Sequence, residues 1–200
     1  MAKRSHDAPH RSTTAFAAAI ALTLLVLAPV PGQAADDPCN DPSTYTPTWA
    51  VQGEDATSPL EGQTVDEVRG VVTMDAQRDT GGPSPPEGFF VEAHEPDCET
   101  TTSDGLFVYT GSVPVDVEPG QLVALEGGNV VEFDAWGTWP NTFTELSCRD
   151  GCPVTTLDAN HTVPEPTTYA APKDPDAAQA YKEAREAMQV RVDQAHAAGP

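Results

Sequence analysis

The chain predicts a mainly β protein, a small β-barrel with a C-terminal helix. Three observations carry that expectation. Short runs rich in aromatic and β-branched residues, such as Phe89-Phe90-Val91 and Leu106-Phe107-Val108-Tyr109, recur at close spacing, which is the pattern of strands. Between them lie Gly- and Pro-rich stretches, including Gly81-Gly82, Pro114 and Pro119-Gly120, that read as turns. Apolar residues at helical spacing gather only after Pro175.

Residues 1–34 stand apart from this plan. Lys3, Arg4 and Arg11 precede a run from Ala15 to Val30 that is apolar apart from Thr23 and is broken by Pro29, Pro31 and Gly32. A basic start, an apolar run and the small residues of Gly32-Gln33-Ala34 make a secretory signal peptide cleaved after Ala34. The run is shorter than the ~20 residues of a spanning helix, so no membrane segment is expected after cleavage. The protein is read as secreted.

Residues 35–47 form a polar N-terminal extension, and residues 48–163 the barrel, a sensible size for one domain. A first strand is placed around Trp49-Ala50-Val51, with Gly53 to Gly62 as a loop. Gln63 to Ala76 is a long strand in which Gly70 permits a bend or bulge. Gln77 to Glu87 holds Gly81-Gly82 and three prolines and is a loop. The two runs named above are the next strands, joined by an acidic connection. Gln121 to Gly127 is a strand that Asn129 to Phe133 continues as a hairpin. Asp134 to Pro140 is a loop carrying Trp136 and Trp139, and Asn141 to Ser147 is the last barrel strand. Residues 164–175 are a Pro-rich linker. Asp174-Pro175 supplies an N-cap and a first-turn proline. Ala177, Ala180, Tyr181, Ala184, Ala187 and Met188 follow at helical spacing, so 176–200 is read as helix and tail.

The cysteines are Cys39, Cys98, Cys148 and Cys152. An even number in an exported chain predicts two disulfides. Cys148 and Cys152 flank the turn pair Asp150-Gly151 and can close locally, leaving Cys39 for Cys98; the other pairings stay open. A structural zinc site would require two close ligand pairs. Cys39 and Cys98 are each isolated, and His94 and His161 do not repair the spacing, so no metal site is assigned.

The formal charge is −21 with ten Lys and Arg in all. Residues 1–34 carry Lys3, Arg4, Arg11 and Asp7, so their removal makes the chain two units more negative. Acidity of this degree opposes tight binding to a phosphate backbone. It favours solubility outside the cell, divalent cations or tolerance of salt.

Specific motifs add a resemblance. The stretch Gly88 to Gly111, GFFVEAHEPDCETTTSDGLFVYTG, the run Val68-Arg69-Gly70-Val71-Val72-Thr73, the triplet Thr144-Glu145-Leu146 and the segment Tyr181 to Val192 together resemble the OB-fold domain preceding the catalytic domain in secreted bacterial nucleases of the endonuclease/exonuclease/phosphatase class. The likeness runs from about Thr46 to Val192. It implies an OB-like barrel and, for the parent architecture, a metal-dependent phosphodiesterase. Two departures stand out. The family's Gly before Met is Ala187 here, which favours continuation of the helix. The family's closely alternating acidic loop has become Glu95, Asp97, Glu99 and Asp104 with a degraded alternation, so calcium is a minor reading there and a solvated loop the main one.

An OB-fold binds ligands through the face of its second and third strands and through the loops between strands one and two and between strands four and five. On that scheme Arg69 and Arg78 are candidates for phosphate, and Phe89, Phe107, Tyr109, Trp136 and Trp139 for stacking. Aromatic residues in small barrels are core residues more often than ligands; Trp136 and Trp139 lie in a loop with no strand alternation to bury them. Catalysis is not expected of this chain. Of five histidines, His6 and His10 precede Ala34, His161 and His196 lie in linker or tail, and His94 alone falls in the barrel. A metal-dependent phosphodiesterase needs a cluster of such groups. Three roles follow: an accessory domain contacting nucleic acid or positioning a catalytic-domain partner, a module binding polysaccharide or cell wall, or an adaptor docking through its helix.

Overall fold

The computed structural model describes Cys39, Pro42 and residues 44–77, 87–134 and 142–193, all within the unit Ala35–Pro200. The expected signal peptide, Arg78, Trp136 and Trp139 lie outside the described residues. In chain order the elements are β1 (Thr46–Pro47), α1 (Thr48–Gln52), β2 (Glu67–Asp75), β3 (Gly88–Glu92), β4 (Gly105–Tyr109), β5 (Leu122–Glu126), β6 (Asn129–Phe133), β7 (Phe143–Ser147), β8 (Val154–Asp158), β9 (Thr167–Thr168), α2 (Pro175–Glu183) and β10 (Val190–Arg191). The protein is mainly β, as its short apolar runs predict.

One mixed sheet runs in the order β6-β7-β4-β3-β2-β5-β8, with β1 alongside β2. Its ladders are antiparallel except β4–β7 and β1–β2, which are parallel. The expectation of a barrel is corrected here, because the sheet does not close: β6 and β8 end its path. The β6 end meets the segment before β2 through the isolated bridge Thr64↔Asn129, through backbone hydrogen bonds such as Gly62 N–H to the Val130 carbonyl at 2.9 Å, and through side-chain bonds such as Ser58 N–H to the Glu132 carboxylate at 2.7 Å.

The expected hairpin of β5 and β6 does not form either. Gly127 has φ +75°, and a Cβ on Gly128 would lie 2.5 Å from Leu146 Cγ. Two glycines therefore let the chain turn a corner over Leu146. β5 pairs with β2 and β8, while β6 pairs with β7.

Trp49-Ala50-Val51, expected as a strand, belongs to the short helix α1. Long-range anchors override local preference. Thr48 Oγ1 donates to the Asp104 carbonyl at 2.7 Å, Gln52 Nε2 to the Gly105 carbonyl at 2.8 Å, and Val51 is fully buried. The irregularity in β2 falls between Val72 and Met74 rather than at Gly70. Gly70 answers a different need, since a Cβ there would lie 2.8 Å from Val91 Cβ. β8, beyond the expected last strand, is an edge strand pairing only with β5.

The core joins alternate residues of the strands: Phe89 and Val91 from β3, Leu106 and Val108 from β4, Leu125 from β5 and Leu146 from β7, all fully buried. Burying each side chain of this size is worth about 1.5–3 kcal/mol. Cys39 is bonded to Cys98 and Cys148 to Cys152, which tie the N-terminal segment to the β3–β4 connection and close the turn after β7.

The linker and helix also differ in part from expectation. β9 lies inside the expected linker and pairs in parallel with β10, with α2 crossing between them. α2 starts as its capping residues predict: the Asp174 carboxylate accepts the Ala177 N–H at 3.0 Å, and Pro175 occupies the first turn. It stops at Glu183. Ala187 takes φ +58°, so the chain turns where continuation of the helix was expected.

A candidate aromatic groove

Strand parity decides which side chains face outward. On β3 the core takes Phe89 and Val91, which leaves Phe90 on the opposite face. The same parity presents Phe107 and Tyr109 from β4, Phe143, Glu145 and Ser147 from β7, and Val131 and Phe133 from β6. These residues, with Arg149, line a groove of about 670 Å³.

Pairing aligns the groove's centre. Phe90 stands opposite Phe107, Phe107 opposite Glu145, and Glu145 opposite Val131, forming one rung across four strands. The Phe107 ring lies 4.9 Å from Phe90 and 5.7 Å from Phe143, both tilted, geometries favourable for aromatic pairs. Gly88 makes room for it: a Cβ there would lie 2.5 Å from Phe107 Cζ and 2.2 Å from the Val108 carbonyl oxygen. Phe107 is only 4 % exposed, whereas Phe133 at the outer wall is 50 % exposed. The groove thus has a packed floor and an open side.

Glu145 is the anomaly in this apolar surround. Its residue is 6 % exposed. Burial pushes its carboxyl up to about 7, and among the described residues no hydrogen bond or ion pair reaches it.

The rest of the same face is covered by the segment after α2. The Glu92 carboxylate accepts the Gln189 N–H at 2.6 Å, the Glu186 carboxylate accepts the Thr144 N–H at 2.7 Å, and Ser103 Oγ donates to the Glu186 carbonyl at 2.6 Å. Burial raises Glu186 to about 8, Glu92 to about 7 and Asp104 to about 6. The Glu92 and Glu186 carboxylates hold the chain's own backbone rather than a ligand.

The predicted candidates divide accordingly. Tyr109 and Phe107 are in the groove, and Phe89 is core. Arg69 is elsewhere: on β2 its Nε bonds Glu67 Oε1 at 2.5 Å and its guanidinium lies 4.6 Å from the Tyr45 ring centre. Arg78, Trp136 and Trp139 lie outside the described residues. Phe90, Phe133, Phe143 and Glu145 are further members of the groove. For Phe143 and Glu145 the signal was strand parity alone, which puts them on one face once Leu146 is assigned to the core.

The acidic loop is knitted internally. Asp97 accepts the Glu99 N–H and the Thr102 hydroxyl, and Glu95 accepts the Tyr45 hydroxyl. No three His, Cys, Asp or Glu side chains among the described residues converge as a metal site. His161, read as linker or tail, lies against the sheet with its ring 6.2 Å from His94. His94 in turn stacks on Tyr45 at 5.5 Å, and burial lowers its affinity for a proton. This cluster anchors the N-terminal segment. Among the described residues no helix is long and apolar enough to cross a membrane.

The chain matches no protein-family model, no curated protein and no solved structure.

Proposed function

We propose that this protein is a secreted, non-catalytic binding module of OB type, the accessory part of a nuclease-like architecture, and that the aromatic groove is its binding surface. One observation carries the reading: five aromatic side chains, Phe90, Phe107, Tyr109, Phe133 and Phe143, gather on the outward face of β3, β4, β6 and β7. Counted from β2 as the first long strand, β3 and β4 are the second and third, the pair on which OB-folds bind ligands. An OB-fold is a partly open barrel, so an open sheet agrees with it. Two disulfides support an oxidising compartment, and the signal-like residues 1–34 support export.

Rings on such a face can stack nucleobases or sugars. The charge of −21 disfavours a polyanion, because neutralised phosphates supply much of nucleic-acid affinity. That balance favours the second reading, a neutral polysaccharide. Affinity electrophoresis in soluble polysaccharide gels, beside fluorescence anisotropy with labelled oligo(dT) at two salt concentrations, tests both. Retardation independent of salt supports the carbohydrate reading and salt-sensitive anisotropy the nucleic-acid one. Binding to either that survives replacement of both Phe107 and Phe143 by Leu would remove the groove from the proposal.

A further inference from the structure

The groove's one buried charged group defines what would complement it. Glu145 sits mid-rung between Phe107 and Val131 and lines the groove beside Phe90, Phe107 and Phe143. It is 6 % exposed and has no hydrogen-bond or ion-pair partner among the described residues. A carboxylate in an apolar surround is costly unless paired. An uncharged apolar ligand would leave it unpaired, an anionic one would meet like charge, and a sugar hydroxyl would give it a hydrogen bond without neutralising it. A cation would gain the carboxylate and the aromatic faces together. The protein's field works in the same direction, since a charge of −21 concentrates small cations and repels anions.

Resting on the groove as the binding surface, we infer that it takes a small organic cation of alkylammonium type, its charge against Glu145 and its alkyl groups among Phe90, Phe107 and Phe143. The volume of about 670 Å³ is that of a small-molecule site. Arg149 lies exposed at the rim beside Ser147 and forms no ion pair with Glu145. It is placed to meet an oxygen at the ligand's far end. Burial lifts Glu145 to about 7, so a bound cation stabilises the charged form and releases a proton.

The test is a titration of the disulfide-bonded protein with choline chloride, followed by amide NMR shifts at Phe107, Glu145 and Ser147. It is paired with 3,3-dimethylbutan-1-ol, which has the same shape without the charge. The expected result is saturable shifts at these amides, with choline bound at least ten-fold more tightly than the alcohol. Glu145→Gln should abolish that preference in a protein whose melting temperature shows it is folded. Phe143→Leu, at a partly exposed position, should weaken choline several-fold. Equal affinity for the two probes, or a preference surviving Glu145→Gln, overturns the inference. If oligo(dT) or a polysaccharide shifts the groove amides and choline does not, the cation assignment falls while the groove stands. If no probe shifts them, both fall.

Discussion

Gly105 and Ala187 are in backbone contact across 82 residues of chain: a Cβ on Gly105 would lie 2.4 Å from the Ala187 carbonyl carbon and 2.5 Å from Met188 N. The glycine of the Ser103-Asp104-Gly105 motif is therefore the floor on which the turn after α2 rests. Gly105→Ala is expected to cost about 2 kcal/mol or more, because backbone rather than a flexible side chain must move. Hydrogen exchange checks it, with the Gln189 and Thr144 amides losing protection while the β3–β4 ladder keeps its own.

Ala187 itself has φ +58°, a region that costs an L-residue roughly 1–2 kcal/mol and a glycine almost nothing. Ala187→Gly should stabilise the protein by about 0.5–1 kcal/mol after the glycine's added freedom in the unfolded chain is subtracted. Urea denaturation, with an unchanged slope and a higher midpoint, is the expected readout.

The covering segment also gives stability a pH dependence. Glu186, raised to about 8 by burial and by the nearby Glu183 and Glu132, and Glu92, raised to about 7 by burial and by Asp104, both bind protons more readily folded than unfolded. Their ordinary value is 4.5. The stability they confer is complete below that value and is lost as pH rises through about 7 to 8. His94 works the other way, its contribution failing as pH falls below about 6.5. Between pH 6.5 and 8.5 the melting temperature should fall by roughly 5 °C. Glu186→Gln should flatten that decline; a decline of unchanged slope in this variant would refute the assignment.

Gly88 offers a test of the groove that leaves every lining residue in place. Alanine there would press on the Phe107 ring and the Val108 carbonyl. Gly88→Ala should displace the ring and weaken groove binding by about ten-fold, the equivalent of 1.4 kcal/mol, with ring-current shifts at Phe90 and Phe143 as the independent sign of movement.

Elements that depend on neighbours in the chain were legible from the amino acids: strands β3 to β7 lie within the apolar runs, Asp174-Pro175 begins α2, and Cys148 closes on Cys152 across the turn between them. Features that depend on distant partners were not. Phe89 and Phe90 are chemically the same, and only the pairing of β3 with β4 sends one to the core and the other to the groove. Trp49 to Val51 would suit a strand, but Asp104 and Gly105 supply acceptors that hold them helical. β8 is too polar to announce itself, since it borrows its order from β5. Ala187 looks like a helix former, and the Gly105 contact turns it into a corner.

The short disulfide loop has a consequence for the groove's rim. Arg149 lies between Cys148 and Cys152, which are bonded to each other, and the Cys148 N–H donates to the Tyr109 carbonyl at 2.7 Å. The cation is thus carried on a closed covalent ring moored to the strand that supplies Tyr109. Much of the backbone freedom it would surrender on meeting a ligand is already gone before any ligand arrives. Reducing that one bond would leave the aromatic floor intact and make the rim adaptable, turning a preorganised site into one that must order itself upon binding.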